Sequence, residues 1–142
     1  MSIALLDVNV LLALAWPNHM HHAASKVWFD REAPNGWATC ALTQLSFVRL
    51  SANPAFTPNA VSPEEAAQIL KHNLTHPNHV FWEAVPACEP EFFQHARGHQ
   101  QVTDAWLVEV ARQNGGYLAT LDRRLKVLDP TGKIVEVISP TF

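Results

Sequence analysis

Short apolar runs alternate with helical patterns along nearly the whole chain, and this alternation restricts the possible folds more than any other feature. Five runs have the composition of buried strands, at 3–6, 37–40, 79–85, 117–121 and 134–138. Helical patterns lie between them, at 8–16, 23–32, 43–52, 63–74, 90–95, 103–114 and 123–128. Strands that alternate with helices predict an α/β fold with a mostly parallel sheet and helices on both faces.

Several helix ends carry their own local signals. Ser62 precedes Pro63 and two glutamates, which is typical of a capped helix start with acids in the first turn. Thr103 is the predicted N-cap of the helix that contains Asp104. The adjacent glycines at 115–116 end that helix.

Length and composition restrict the class of protein. We expect a single domain over 1–142, since 142 residues with a 48% hydrophobic share suffice for one core. The net charge of −3 carries no overall signature of nucleic-acid binding, although a local basic patch is compatible with it. Two cysteines without a CxxC pair, no signal-peptide pattern and no membrane-spanning run predict a cytoplasmic protein that does not interact with membranes.

Three aspartates lie just after a predicted strand or in the first turn of a predicted helix, and these positions predict one shared site. Asp7 follows the first apolar run, Asp122 follows the run YLATL, and Asp104 lies in the first turn of a helix. Ligands of parallel sheets bind at the carboxyl ends of the strands, so these side chains are expected to converge there. Taken singly, Asp104 is equally well explained as a favourable charge at a helix start, and Asp122 as a partner of Arg123 or Arg124.

A cluster of three carboxylates favours a hard divalent cation. Like charges in one place raise one another's pKa, and a cation removes that repulsion. Magnesium takes oxygen ligands, only a few of them from protein, and keeps waters for a phosphate substrate and a nucleophile. The sequence therefore predicts a metal-dependent phosphodiester site at the sheet edge.

The ordered segments LLDVNVLLAL, TQLSFVRLSANP, VTDAWL and YLATLDRRL resemble a PIN-domain ribonuclease, of the kind that serves as the VapC-like toxin of a type II toxin–antitoxin pair. The resemblance extends from Leu5 to Leu125. It implies a three-layer sandwich with a central parallel five-stranded sheet, and cleavage of RNA with Mg²⁺ or Mn²⁺. It further implies an RNA substrate such as tRNA, a VapB-like antitoxin and a homodimer.

The resemblance also assigns roles to residues. Asp7, Asp104 and Asp122 match the catalytic acids that hold metal, and Asn9 matches a polar position beside the first acid. Gln44 occupies a catalytic position where the family usually has Glu, and its neutral amide is compatible with either one bound metal or two. The substrate-binding candidates are Asn9, Arg49, Arg123 and Arg124.

The sequence is compatible with two other functions. DVNV also resembles the start of a haloacid-dehalogenase-like phosphatase, but there the second position is an acid that protonates the leaving group, which Asn9 cannot do. Alternatively, the PIN-like fold is kept as a binding module and Gln44 marks a loss of catalysis.

Overall fold

The computed structural model describes residues 2–139, and all five of its strands pair in parallel in one sheet. The strands are β1 (Ala4–Leu6), β2 (Trp37–Thr39), β3 (His79–Phe81), β4 (Tyr117–Thr120) and β5 (Val135–Val137). Their spatial order is β3-β2-β1-β4-β5, which places β1 at the centre. The α/β class and the parallel five-stranded sheet are confirmed.

In the described part of the chain, five α-helices connect the strands. They are α1 (Val8–Ala15), α2 (His22–Glu32), α3 (Ala41–Ser51), α4 (Pro63–Asn73) and α5 (Val102–Gln113). Short 3₁₀ segments lie at Ala33–Asn35, Pro90–Phe93, His99–Gln101 and Arg123–Leu128. Within residues 2–139, no helix is long and apolar enough to cross a membrane.

The core has two parts, one on each face of the sheet. Alternate residues of β1 point to opposite faces, as the two-residue period of a strand requires. Leu6 packs with residues of α1 to α4 such as Phe47, whereas Leu5 packs with residues of α5 such as Val110. This arrangement is the three-layer sandwich that the resemblance implied.

Many element boundaries differ from the sequence-based predictions, by one to four residues. Helix α3 begins at Ala41, two residues early, because the Thr43 hydroxyl accepts a hydrogen bond of 3.0 Å from the Cys40 backbone N–H in a capping box. Strand β3 ends at Phe81 rather than at 85. The prediction of Thr103 as an N-cap is wrong, since α5 begins at Val102 with Gln101 in the cap position.

The predicted end of α5 is confirmed, and its two glycines act in different ways. Gly115 follows the Asn114 C-cap with φ +73°, and its N–H donates to the Arg112 carbonyl at 3.1 Å. Gly116 enters β4 so close to β1 that a Cβ atom would lie 2.2 Å from the Ile3 carbonyl oxygen. The helix end therefore brings the chain into the sheet beside β1.

Candidate active site

Asp7 lies where the central strand ends and α1 begins. Its backbone N–H donates to the Ala119 carbonyl at 2.9 Å, and its Oδ1 accepts from the Val8 N–H at 2.7 Å as the N-cap of α1. The residue is only 4% exposed, and no ion pair within residues 2–139 includes it. Burial raises the pKa of Asp7, opposed by hydrogen bonds from Thr120 and Val8, while the charge of Asp122 adds to the rise.

Thr120 joins two of the three aspartates from the end of β4. Its fully buried hydroxyl donates to Asp7 Oδ2 at 2.8 Å and accepts from the Asp122 backbone N–H at 3.1 Å. Because β1 and β4 are neighbours in the sheet, this contact spans 113 positions of sequence. The hydroxyl thereby fixes one Asp7 oxygen and the start of the turn that carries Asp122.

Asn9 completes this network from the first turn of α1. Its Nδ2 donates to Thr120 Oγ1 at 3.2 Å and, more weakly, to Asp7 Oδ2 at 3.4 Å. Its Oδ1 accepts from the Leu121 N–H at 3.1 Å. Since both ends of the amide have partners inside the protein, these contacts favour positioning of Asp7 over direct binding of substrate.

Asp104 and Asp122 line one wall of a cleft of about 420 Å³ that is also bounded by basic and amide side chains. Asp104 projects from the first turn of α5. Burial raises its pKa to about 6, with further contributions from the charges of Asp7 and Asp122 and a small opposing one from Arg124. Asp104 and Asp122 line the same cleft, and the Thr120 hydroxyl joins Asp122 to Asp7, so the three aspartates lie at one edge of the sheet.

Asp122 differs from the other two acids because it has a cationic partner. Arg124 Nε and Nη2 donate to Asp122 Oδ1 and Oδ2 at 3.0 and 2.9 Å, a bidentate pair at the start of the last 3₁₀ segment. The Arg124 hydrogen bond holds the pKa of Asp122 below its usual range. The structure therefore contains the ion pair that the simpler interpretation of LDRR predicts, between a turn acid and a neighbouring arginine.

The donor set suits a hard divalent cation better than a structural zinc ion. Asp7 and Asp104 are carboxylates without a cationic partner in any ion pair among residues 2–139, and Asp7 is buried. Within the same residues, no three His, Cys, Asp or Glu side chains form a ready cage for a metal. Magnesium needs only one or two protein carboxylates and completes its shell with water and phosphate, so these residues fit Mg²⁺ or Mn²⁺.

The other predicted site residues, Gln44, Arg49 and Arg123, lie in different parts of the structure. The Gln44 amide lies near the same sheet edge, but its Nε2 donates to Thr39 Oγ1 at 3.0 Å, and no hydrogen bond within residues 2–139 joins it to the aspartates. Arg123 lines the cleft, whereas Arg49 is exposed on α3 and is not among the cleft residues. The predicted roles of Gln44 and Arg49 stay predictions.

Sequence reasoning did not identify Thr120 or Arg97 as site residues. Thr120 stands two positions before Asp122 in YLATLD, where a strand residue that faces the core is usually apolar, and this was the available signal. Arg97 lines the cleft from the loop before α5. Its position depends on the path of an irregular segment that no periodicity predicts.

Comparison with known proteins identifies the family and agrees with the fold. A family model of the PIN domain matches residues 4–129. Ribonuclease VapC38 of Mycobacterium tuberculosis is 42% identical over 120 residues, covering 84% of this chain and 85% of the relative. Ribonuclease VapC39 of the same species is 39% identical over 138 residues, covering 95% of this chain and 99% of the relative. The chain therefore belongs to the PIN domain family.

A solved structure has the same fold. A chain of VapBC2 from Rickettsia felis, crystallised with a DNA fragment from its promoter, matches with a TM-score of 0.66. The match covers 96% of this chain and 99% of that chain at 13% sequence identity. At that identity the likeness concerns the fold alone.

Proposed function

We propose that this chain is a VapC-type endoribonuclease, the toxin of a toxin–antitoxin pair, which hydrolyses RNA phosphodiesters with Mg²⁺ or Mn²⁺ bound at Asp7 and Asp104. The observation that carries the proposal is the buried Asp7 carboxylate, which has no ion-pair partner within residues 2–139, at the same sheet edge as Asp104. Asp104 lines a cleft that arginines also line. PIN-domain VapC ribonucleases depend on divalent metals in general, and the relatives that match this chain over most of their length are named ribonucleases.

The protein's own residues prepare the site for the cation. Thr120 and Asn9 hold the Asp7 carboxylate in one orientation, so little reorganisation is needed when its free lone pairs bind metal. Asp104, with its pKa of about 6, is mostly ionised at neutral pH and half protonated near pH 6. When bound, the divalent ion supplies positive charge that offsets the phosphodiester and makes water acidic enough to yield a nucleophile near neutral pH.

Asp122 has a distinct role in this scheme. Its carboxylate is bound by Arg124 through both oxygens, so it carries less free negative charge than Asp7 or Asp104. We assign it to the metal site as the acid that orients water or the outer coordination shell, while Arg124 limits repulsion among the three acids.

A cleavage assay with a charge-matched control tests the proposal. The purified protein is expected to cut RNA in Mn²⁺ or Mg²⁺ and to lose this activity in EDTA. Asp104→Asn is expected to reduce cleavage by at least about a hundredfold, since loss of a metal ligand removes most of the metal's contribution. Asp30→Asn removes an equal charge from an exposed ion pair on α2 and should keep full activity.

Two results would contradict the proposal. Full activity of Asp104→Asn would mean that the acidic cluster is not the site of cleavage. Absence of cleavage by the wild-type protein, together with RNA binding that persists in EDTA, would favour the binding-module alternative. A phosphoenzyme formed on Asp7 would instead favour the phosphatase alternative.

We further infer a VapB-like antitoxin partner, a homodimer and a cytoplasmic location. The VapC names of the relatives support the antitoxin partner, the homodimer follows from the family resemblance, and the free thiols of Cys40 and Cys88 support the location. Light scattering of the purified chain, alone and after co-expression with the product of the adjacent reading frame, tests both assemblies. A monomer that forms no complex would contradict both.

A further inference from the structure

We propose that His79 positions the Gln44 side chain: through the Thr39 hydroxyl it holds the Gln44 amide with its nitrogen towards Thr39 and its oxygen towards the acidic edge of the sheet. There the oxygen accepts hydrogen bonds from water around the divalent cation. This inference rests on the proposed function and deepens it, because it gives a role to a histidine that lies outside the cleft.

A hydrogen-bond chain joins three neighbouring elements, β3, β2 and α3. Thr39, the last residue of β2, is fully buried. Its Oγ1 lies 2.8 Å from His79 Nε2 on β3 and accepts from Gln44 Nε2 on α3 at 3.0 Å. Within residues 2–139, this hydroxyl has no third partner, and the Gln44 oxygen has no hydrogen-bond partner. The Thr39 proton therefore has to be donated to one of these two neighbours.

A hydroxyl has one proton to donate, and this fixes the direction of the chain. When Gln44 Nε2 donates to Thr39, Thr39 donates to His79, whose Nε2 carries no proton. When His79 Nε2 carries a proton, Thr39 has to donate to the Gln44 oxygen instead, and the amide reverses. The tautomer of His79 therefore sets which end of the Gln44 amide is left free for other partners.

The surroundings of His79 favour a neutral ring. Its ring centroid lies 4.7 Å from that of Trp37, and burial together with the nearby His76 lowers the pKa of His79. A neutral imidazole has one unprotonated nitrogen, whereas a protonated imidazole has none. The partial burial of His79 thus keeps a ring nitrogen available to accept the Thr39 proton.

The topology brings Gln44 to the acidic edge. Strands β1 and β2 are parallel neighbours, and each is followed at once by a helix, α1 after Asp7 and α3 after Cys40. These two helices pack together, so the first turn of α3, which carries Gln44, lies beside the turn that Asp7 caps. A free amide oxygen at this place adds an acceptor that can orient water in the outer shell of a cation bound by the aspartates.

The first test reads the tautomer of His79 in the metal-free protein from long-range ¹H–¹⁵N NMR spectra, with His79→Leu identifying the signals. The wild-type protein is expected to have an unprotonated Nε2. Gln44→Glu replaces the amide by a carboxylate that can only accept, so Thr39 has to donate to it and His79 Nε2 should become protonated. A protonated Nε2 in the wild type, or the same tautomer in wild type and Gln44→Glu, would overturn the proposal.

The second test measures the affinity for Mn²⁺ by calorimetry at pH 7. In His79→Leu the Gln44 oxygen is the remaining acceptor for the Thr39 hydroxyl, so the amide should reverse and the affinity should fall about tenfold. Gln44→Met should lose the same factor, and the double variant should lose no more than either single one, because His79 acts through Gln44. His72→Leu removes an exposed imidazole of α4 outside the chain and should bind like wild type.

The outcomes separate this inference from the proposed function. Unchanged Mn²⁺ affinity in His79→Leu, or losses that add up in the double variant, would overturn the role of His79 while the proposed function stands. The tautomer of Gln44→Glu requires no substitution at His79, so it decides the proposal even where His79→Leu does not fold. Absence of Mn²⁺ binding by the wild-type protein would contradict the proposed function itself, and the tautomer of His79 would still decide whether this chain orients the amide.

Discussion

At the scale of single residues, the candidate site depends on Thr120 as much as on the acids. A buried carboxylate without a counter-ion is costly unless its oxygens receive hydrogen bonds, and the Thr120 hydroxyl supplies one at 2.8 Å. The same oxygen accepts from the Asn9 amide and the Asp122 N–H. Removing this hydroxyl therefore affects both Asp7 and the turn that carries Asp122.

We predict that Thr120→Val lowers the free energy of unfolding by about 2 kcal/mol, because it removes a hydrogen bond to a charged group at constant volume. It should also raise the pKa of Asp7 further and shift the pH profile of cleavage upwards. Thr120→Ser keeps the hydroxyl and should restore the pH profile. Urea unfolding and a pH–rate series measure the two effects. An unchanged pH profile in Thr120→Val would mean that the hydroxyl contributes to stability alone.

The raised pKa of Asp104 predicts that the stability of the metal-free protein depends on pH. Its pKa is about 6 in the folded state and near 3.8 in the unfolded state, so between these values the folded protein binds more protons. The stability that Asp104 contributes is therefore highest at low pH and falls as pH rises from about 4 to about 6. Asp122, whose pKa is lowered, acts in the opposite direction and only below its ordinary value.

The difference in melting temperature between wild type and Asp104→Asn, measured in EDTA across pH 4 to 7, isolates this effect. The variant should gain stability relative to wild type as pH rises through that window. A constant difference would contradict the pKa assignment.

At the scale of secondary-structure elements, the sequence predicts where strands end better than it predicts which side chains contact each other. The positions of Asp7 and Asp122 after apolar runs, and of Asp104 in a first helical turn, sufficed to place three acids at one edge. The capping box at Cys40, the early end of β3 and the choice of Arg124 over Arg123 as the partner of Asp122 depend on three-dimensional geometry that periodicity does not contain. Arg97 likewise reaches the cleft from an irregular loop.

The junction of α5 and β4 gives a test at this scale. In Gly116→Ala the new Cβ would lie 2.2 Å from the Ile3 carbonyl oxygen and 2.7 Å from the Trp82 ring, so the strand has to move. We expect a loss of roughly 2–4 kcal/mol in unfolding free energy. Gly115→Ala meets nothing within 4 Å, but has φ +73°, and should lose only about 1 kcal/mol. Equal losses in urea unfolding would contradict the packing described for β1 and β4.

At the scale of the whole molecule, the strand order brings distant parts of the chain to one site. Asp7 belongs to the first tenth of the sequence and Asp122 to the last quarter, yet they meet because β1 pairs with β4. One face of the sheet is covered by α1 to α4, while α5, on the other, carries Asp104 and one side of the cleft. The fold thus places helices α1 to α4 on one face of the sheet and the helix that lines the cleft on the other.

The central claim is that the aspartates at this edge bind a catalytic divalent cation, and calorimetric titration of Mn²⁺ into wild type and Asp7→Asn at pH 7 tests it most directly. The wild-type protein should bind Mn²⁺, and Asp7→Asn should lose at least about tenfold in affinity. Without metal the variant should melt at the same temperature as wild type or higher, because burial and a neighbouring charge already disfavour the Asp7 anion. Mn²⁺ binding of equal strength in the two proteins would contradict the account.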